Sequence, residues 1–548
     1  MSAPAHALVR TTSIGVPDRA MAGFGTALAL AWRRNRLRLG AWLLSLVGTY
    51  AYIAAYYADT FTTARALEDY AALSATPGMK AITGLSKAAD TLGGAVWTKG
   101  WMTIALSLAI GSVFLITRSG RADEESGRSE LLRAGALGIR ACSHANALLV
   151  ALLAGAVGIG LSAVSLLQDL DPVGTGISGS LVLGASTSGI GLIGLGVGAL
   201  AGQLARTSRG ANALGSATII AFYVLRMIGD LGPEWLTWLS PIGWGVRMQP
   251  YADNDWAPFA LMLALAAVLL LLARRIESRR DLGTGLLPER LGRAGAPAFL
   301  ASPLGLGLRL QGNAILGWTL AIGLSGLLFG SVVESMTSLL DNAGGNVDAL
   351  LRGSGVTALV SLLVLMMGLL TMIFALQSAL TLRGDEAGGI LEAQFAGALS
   401  RRRWALERLL IPACGSALLL LLGGGLLGAV YGASISDASQ AGALALATLA
   451  YWPAVMVYVG IVLVLWAFLP RLAVPISWSM VSATWFLTVF GEVFSLPRGL
   501  LDALPLAATP YMPMESFAPL PLLGLAAAAL LFLIIGVEGF ARRDLTGA

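Results

Sequence analysis

Two stretches of this 548-residue sequence repeat each other: RADEESGRSELLRAGAL at residues 121–137, and RGDEAGGILEAQFAGAL at residues 383–399. Aligned without a gap at an offset of 262 residues, they are identical at nine of seventeen positions. A shared bias toward Ala, Gly and Leu would match some positions by chance, but it would not align Arg, Asp, Glu, Gly and Glu in one register. We therefore interpret the two stretches as traces of an internal duplication.

Correspondences at nearly the same offset extend the duplication along the chain. Arg209 corresponds to Arg471, and Gly229-Asp230 corresponds to Gly491-Glu492. The segment Arg279-Arg280-Asp281-Leu282 recurs as Arg542-Arg543-Asp544-Leu545. The last of these lies at an offset of 263 residues. The sequence thus indicates two halves of similar length and similar order.

The composition points to lipid as the natural solvent of the chain. Hydrophobic residues make up 56% of it and charged residues only 12%, with a mean hydropathy of +0.76. An ordinary soluble domain carries about 25% charged residues, which it needs to cover a surface exposed to water. The net charge of +5 is therefore no sign of a nucleic-acid partner, and we expect none.

Twelve hydrophobic runs are long enough to cross a hydrocarbon core about 30 Å thick. They lie near residues 39–57, 99–117, 144–168, 180–203, 212–228 and 257–273, and near 314–333, 355–381, 409–430, 440–468, 472–490 and 518–537. The run 440–468 is long for one helix, and we expect it to tilt or break at Pro453. With six spans in each half, both halves begin and end on the same side, so the repeats are parallel. We expect an all-α membrane protein of about twelve transmembrane helices, built as two parallel six-helix repeats with a seam between them.

Arginine and lysine set the expected orientation, because the inner loops of membrane proteins carry the excess of positive charge. With both termini in the cytosol, 28 of the 36 Lys and Arg residues fall on the inner side. The eight on the outer side are Arg65, Lys80, Lys87, Lys99, Arg226, Arg247, Arg352 and Arg498. We therefore expect a multi-pass protein of the plasma (inner) membrane with both termini cytosolic.

The segments between the runs complete the predicted organisation. Residues 22–38 carry apolar side chains on one side and end in an arginine cluster, which is typical of an interfacial amphipathic helix. We expect a cytosolic N-terminus with this helix (1–38), a first six-helix half (39–282), a cytosolic linker with a second amphipathic helix (283–313) and a second half (314–548). On the outer side, we expect 58–98 to fold over the surface, and 229–256 and 491–516 to be re-entrant or lipid-skimming pieces.

The runs contain no obvious source of energy for transport. Asp, Glu, Lys and His are essentially absent away from the ends of the runs, and a proton- or sodium-driven transporter needs such groups at membrane depth. The chain also has no G-x-x-x-x-G-K-[ST] loop to hold the phosphates of ATP. A reaction driven by ATP would therefore require a separate ATPase subunit that docks from the cytosol.

Metal and enzyme chemistry have little support in the sequence. The two cysteines, Cys142 and Cys414, and the two histidines, His6 and His144, are too few and too far apart for a metal site. We expect a chain that is not an enzyme and that holds no metal and no catalytic residues.

The repeated stretches predict a docking surface. Each lies on the inner face between spans 2 and 3 of its half, where we expect a short charged helix beneath the membrane. Because Glu124, Gly127 and Glu130 are three residues apart, the two acids would lie on neighbouring turns of that helix. One such loop would more simply be a solvated helix, but two copies in equivalent positions favour docking sites for a symmetric partner. The candidate docking residues are Asp123, Glu124, Gly127, Glu130, Asp385, Glu386, Gly389 and Glu392.

The first copy, Glu124-Glu125-Ser126-Gly127-Arg128-Ser129-Glu130-Leu131-Leu132, resembles the E-E-x-G-x-x-E-x-L pattern of ABC-2 type transporter permeases, and residues 385–392 match it more loosely. That family usually has a proline a few residues later, where this chain has Gly135 and Gly397. The resemblance covers nearly the whole chain. The fused twelve-span form and the Ala/Gly/Arg-rich composition resemble the actinobacterial exporters of polyketide antibiotics, the tetronasin-resistance type.

The resemblance implies a type V ABC exporter-like fold and the export of hydrophobic or amphipathic drugs. It further implies two copies of a separate ABC ATPase, which would bind ATP and Mg, so that this chain would bind no cofactor itself. In that family spans 2 and 5 of each half face each other across the seam. The candidate residues of the substrate path are therefore Trp101, Met102, Phe114, Phe222, Tyr223, Met366, Met367, Phe374, Gln377, Trp485, Phe486 and Phe490. For each of them, packing between helices or against lipid is about as good an interpretation.

Other functions remain open at this stage. A proton-driven major-facilitator antiporter also has six plus six spans, but its G-x-x-x-D-R-x-G-R-R-like loop is only faintly echoed at residues 121–128. A membrane enzyme or polymer scaffold would need a cluster of His, Asp and Glu, or a large outer domain. A third alternative is an ABC-2 permease that is importer-like or that exports lipid or polymer.

Overall fold

The structure is a computed structural model that describes residues 19–133, 137–138, 140–170, 177–280, 283, 285–286, 295, 297–342, 355–490, 497–501 and 503–544. The described residues form helices, turns and loops, with no β-strand among them. The chain forms two compact units, Met1–Arg290 and Leu291–Ala548.

The first unit contains long helices joined by short helical pieces. In chain order the described helices are α1 (Phe24–Thr60), α2 (Ala64–Ser74), α3 (Pro77–Thr83), α4 (Leu92–Ser119), α5 (Arg121–Glu125), α6 (Arg128–Arg133), α7 (Ala141–Leu167), α8 (Ser178–Leu204), α9 (Ser208–Leu231), α10 (Trp235–Trp238), α11 (Pro241–Arg247) and α12 (Ala257–Glu277). A single 3₁₀ turn, Arg19–Met21, precedes α1.

The second unit has the same order of long helices. Its described helices are α13 (Pro303–Asn342), α14 (Gly355–Ala387), α15 (Ile390–Phe395), α16 (Arg401–Ser434), α17 (Ser439–Leu449), α18 (Trp452–Phe468), α19 (Ala473–Phe490), α20 (Arg498–Leu501) and α21 (Pro519–Arg542). A 3₁₀ turn, Ala298–Ala301, leads into α13.

Eleven helical segments of the described chain are long and apolar enough to cross a membrane, which confirms the prediction of an all-α protein with many spans. The twelfth expected span, 472–490, corresponds to α19. At 18 residues, α19 is about 27 Å long, slightly less than the hydrocarbon core. The expected break near Pro453 is present, because α17 ends at Leu449 and α18 begins at Trp452.

The two expected amphipathic helices are not separate elements. Residues 24–38 form the first part of the uninterrupted helix α1, and residues 303–313 form the first part of α13. The physical reason is the lack of a breaker. No proline interrupts α1, and Pro303 stands at the first position of α13, where its missing N–H costs no hydrogen bond.

The fourth span is central to the packing of each unit. In the first unit α8 packs against α4, α7 and α12. In the second unit α18 packs against the equivalent helices α14, α16 and α21. The two units therefore share a packing scheme as well as a sequence motif.

Glycine residues allow α7 and α8 to pack closely. A Cβ on Gly158 would lie 2.3 Å from the carbonyl oxygen of Gly184, and a Cβ on Gly184 would lie 2.4 Å from the carbonyl oxygen of Gly158. Nearby, the Ser162 hydroxyl donates to the Ser180 carbonyl at 2.8 Å. Small residues are the usual means of bringing membrane helices together, because lipid provides no hydrophobic force between them.

The segment between α1 and α4 is held on α9 by a buried arginine. The Arg226 guanidinium donates to the carbonyl oxygens of Ala81 at 2.7 Å and Ile82 at 3.1 Å, and to Asp230 at 2.8 Å. The Tyr223 hydroxyl donates to the Ile82 carbonyl at 3.0 Å. These bonds attach the end of α3 to α9.

Candidate functional site

The repeated motif forms the same backbone turn in both units. Gly127 separates α5 from α6 with φ at 69°, and Gly389 separates α14 from α15 with φ at 69°. This left-handed conformation favours glycine, since a side chain would clash with the backbone there. The expectation of a single short helix carrying both Glu124 and Glu130 is therefore wrong. The glycine breaks the helix and places the two acids on different helices.

In the first unit the acids before the glycine are held inside the protein by ion pairs. Both oxygens of the Asp123 carboxylate accept from the Arg34 guanidinium of α1, at 2.7 and 2.9 Å. Both oxygens of Glu124 accept from Arg280, which follows α12, at 2.7 and 2.8 Å. Arg121 donates a further hydrogen bond to Glu124 at 2.8 Å. These pairs tie the motif to the first and last spans of the unit.

The second unit repeats this arrangement with changes in its partners. Asp385 accepts from Arg408 of α16. Glu386 accepts from Arg543 at 2.8 Å and from the Trp466 indole N–H at 2.6 Å. Desolvation of these buried acids is thus offset by charged hydrogen bonds in both units.

One ion pair is the same in both units. Arg280 and Arg543 are the second arginines of the duplicated Arg-Arg-Asp-Leu segment, and each binds the motif glutamate of its own unit, Glu124 or Glu386. In the sequence this segment indicated only the duplication, and its binding to the motif glutamate was not predicted. The signal was present, because one basic and one acidic segment recur with almost the same offset.

The arginine that opens each motif has a further partner. Arg121 Nε donates to the Arg206 carbonyl at 2.7 Å, and Arg383 Nε donates to the Pro470 carbonyl at 3.0 Å. Both acceptors lie in the short loop between the fourth and fifth spans. The motif of each unit is thus fixed to three separate parts of that unit.

The acids after the glycines face outward. Glu130 and Glu392 are exposed, whereas Asp123, Glu124, Asp385 and Glu386 are buried or half-buried. Beside Glu130, Leu131 is 77% exposed. Of the predicted docking residues, Glu130 and Glu392 are therefore the carboxylates that a partner protein could reach directly.

Within each unit, the predicted path residues differ in their burial. Trp101, Met102, Met367 and Phe374 are buried in the cores of their own units. Trp101 stacks on Trp97 with ring centroids 5.5 Å apart. These side chains are part of the packing, and their role in a substrate path stays a prediction.

The remaining path residues are more accessible. Phe114, Gln377 and Phe486 are exposed, and the Gln377 oxygen accepts from the Trp318 indole at 2.8 Å. Four others are half-buried: Phe222, Tyr223, Met366 and Trp485. The side chain of Phe490 lies outside the described residues.

Comparison with known proteins places the chain in a family. It matches the family described as "Multidrug efflux system permease Rv1217c, C-terminal domain" over residues 24–274 and 300–541, one segment in each unit. It is 33% identical over 542 residues to the multidrug efflux system permease protein Rv1217c of Mycobacterium tuberculosis (strain ATCC 25618 / H37Rv), covering 96% of each chain. The chain therefore belongs to the Rv1217c-like family of multidrug efflux permeases.

Proposed function

We propose that this chain is the transmembrane permease subunit of an ATP-driven ABC exporter that expels hydrophobic or amphipathic drugs. One observation carries the proposal: the same helix–glycine–helix turn occurs in both units, with an exposed glutamate three residues after each glycine. A duplicated surface of this kind suits two copies of a partner subunit. ATP and Mg would be bound by that partner, in the cytosol, below an inner membrane that this chain spans with both termini inside.

The ion pairs behind the turn support a mechanical role. A force on α6 reaches α1 through Asp123 and Arg34, and the end of α12 through Glu124 and Arg280. Charged pairs with two hydrogen bonds fix orientation as well as distance. Closing of the ATPase subunits would in this way shift the helices between inward-open and outward-open states, as far as its differential binding to the two states allows.

The proposed cargo follows from the chemistry of the spans and from the relative. Helices with few charges at membrane depth suit an apolar or amphipathic cargo better than an ion or a sugar. The relative from Mycobacterium tuberculosis is named as a multidrug efflux permease. Within this class we place the chain near the exporters of polyketide antibiotics, the tetronasin-resistance type, on its fused form and composition.

The test reverses the exposed charges. Glu130→Lys and Glu392→Lys, made together, should abolish co-purification of the ATPase subunit and restore intracellular accumulation of a hydrophobic antibiotic. The matched control is Glu68→Lys, an exposed acid on α2 at the opposite expected face, which should change neither measurement. Normal ATPase association and normal export in the double variant would show that the proposed docking role is wrong.

A second arm tests the source of energy. Export should cease when the ATPase subunit is inactivated and should continue when an uncoupler removes the proton gradient. The reverse result would favour a proton-driven antiporter.

A further inference from the structure

The first unit contains a cavity of about 240 Å³ directly behind the docking motif. Its walls come from the start of α1, the inner ends of α4, α8 and α12, the start of α7, and the motif itself. Apolar side chains such as Leu30, Leu132 and Leu270 line much of it. The cavity thus offers an apolar surface at the expected cytosolic end of the first unit.

One polar atom in this lining, Nε2 of His144, has no hydrogen-bond partner among the described residues. His144 lines the cavity, and its Nδ1 lies 2.8 Å from the Arg140 carbonyl oxygen. Because a carbonyl only accepts, Nδ1 donates in this contact, and in the tautomer with its proton on Nδ1 the Nε2 atom is an acceptor. Nε2 is also buried. Buried acceptors without partners are rare and costly, so this atom suits a ligand that brings a donor.

Two of the arginines that line the cavity are neutralised. Arg34 is paired with Asp123 and Arg280 with Glu124, in the bonds that hold the motif. The cavity therefore suits an amphipathic molecule better than a small ion.

At equivalent positions of the repeat, the second unit has aromatic side chains. At the offsets of the duplication, Trp404 stands at the position of Cys142 and Phe540 at the position of Glu277, and both of these first-unit residues line the cavity. Trp466 stands at the position of Leu204, the residue after the lining residue Gln203. All three aromatic residues are buried, and they form one cluster: the Trp466 and Phe540 ring centroids are 4.3 Å apart, and those of Trp404 and Phe540 are 5.8 Å apart.

At two further lining positions the second half carries apolar residues, of which Leu406 is exposed. Leu406 stands at the position of His144, and Val464 stands at the position of Gly202. A Cβ on Gly202 would meet no atom within 4 Å, so the cavity reaches the backbone of α8 there. The first half has thus kept small and polar residues at positions where the second half carries larger apolar ones.

We propose that the cavity of the first unit is a binding site for an amphipathic small molecule, which seats an apolar group among the leucines and donates a hydrogen bond to His144. The occupant contacts Glu124 and Leu132 of the docking motif from behind. Binding here requires neither the ATPase subunit nor transport, so the site can be tested independently of the proposed function.

The test uses N-phenyl-1-naphthylamine, an apolar fluorescent molecule with one N–H donor. The purified full chain in phosphatidylcholine nanodiscs should give a saturable rise in its fluorescence above that of empty nanodiscs. Cys142→Trp, which installs the residue of the second half, should weaken binding at least tenfold. His144→Leu, which also copies the second half, should weaken it several-fold by removing the acceptor.

Controls keep the result interpretable. Cys414→Trp adds the same side chain at an exposed site on α16 and should bind like the wild type. Glu68→Lys should also bind normally, because this exposed acid does not line the cavity. Wild-type affinity in His144→Leu and in a folded Cys142→Trp variant would overturn the proposal, as would the lack of saturable binding by the wild-type chain.

A final arm identifies the source of the ligand. Phosphatidylethanolamine carries a primary amine that could donate to His144 in the same way. If nanodiscs that contain it compete with the probe, a lipid headgroup fills the same site in the membrane. If they do not compete with the probe, the site binds a free amphipathic molecule and not this lipid.

Discussion

The individual acidic residues of the motif are of two kinds, which differ in burial and in ion pairing. Asp123, Glu124, Asp385 and Glu386 form ion pairs within their own units, and Glu130 and Glu392 are exposed. Buried pairs are costly to break, because the remaining charge has no water to solvate it. The paired acids therefore position the turn, and the exposed acids are accessible to the proposed partner protein.

Loss of Arg280 should destabilise the protein through the charge left on Glu124. Arg280→Met should lower the free energy of unfolding by about 3 kcal/mol, the lower end for breaking a buried pair, because Arg121 still contacts Glu124. The measurement is thermal unfolding of the two purified proteins in the same detergent. The control is Arg402→Met, whose partner Glu538 is partly exposed, and we expect a change below about 1 kcal/mol. Equal effects of the two substitutions would contradict the positioning role of Arg280.

At the scale of elements, the glycine turn determines where α6 and α15 point. No atom lies within 4 Å of where a Cβ on Gly127 would stand, so steric contact with other elements does not require glycine there. The positive φ alone requires it. The same reasoning applies to Gly389, which has the same φ and equally open surroundings.

Gly127→Ala should therefore act through backbone strain only. We expect a loss of about 1 kcal/mol in stability and a weaker association with the ATPase, because the strained turn reorients α6. Gly155→Ala on α7 is the matched control. It also has open space but lies within a helix, where alanine is favoured by up to about 1 kcal/mol. Thermal midpoints that move in the same direction in both variants would contradict this account.

At the scale of the whole molecule, duplication has produced two units with one packing scheme and different interiors. The fourth span packs against the second, third and sixth in both. One interior keeps a cavity, whereas the other contains the cluster of Trp404, Trp466 and Phe540. A duplicated chain can differ in this way because, after fusion, each half changes independently of the other.

The distribution of positive charge predicts the orientation of the whole chain. Alkaline phosphatase is active only outside the cytosol, so its fusion to the C-terminus should be inactive. Its fusion after Asp437, in a loop between α16 and α17, should be active. Activity at the C-terminus and none at Asp437 would mean that the orientation is inverted.

Features that depend on local composition could be predicted from the order of the residues. Membrane spans appear as runs of about 20 apolar residues, because every backbone group in lipid must be satisfied within its own helix. The duplication and the position of the motif were equally visible, since each is a contiguous stretch. The break at Gly127 was missed because spacing alone does not show which glycine adopts a positive φ.

The pairing of charged side chains depends on the tertiary structure. Arg34 and Asp123 are 89 residues apart, and Arg280 and Glu124 are 156 apart, so their pairing depends on how the helices pack. Packing also buried Trp101 and Phe374, which the family resemblance had made candidates for a path. It left a cavity beside His144 where the second unit has an aromatic cluster, because the space between helices is set by side chains that are distant in the sequence.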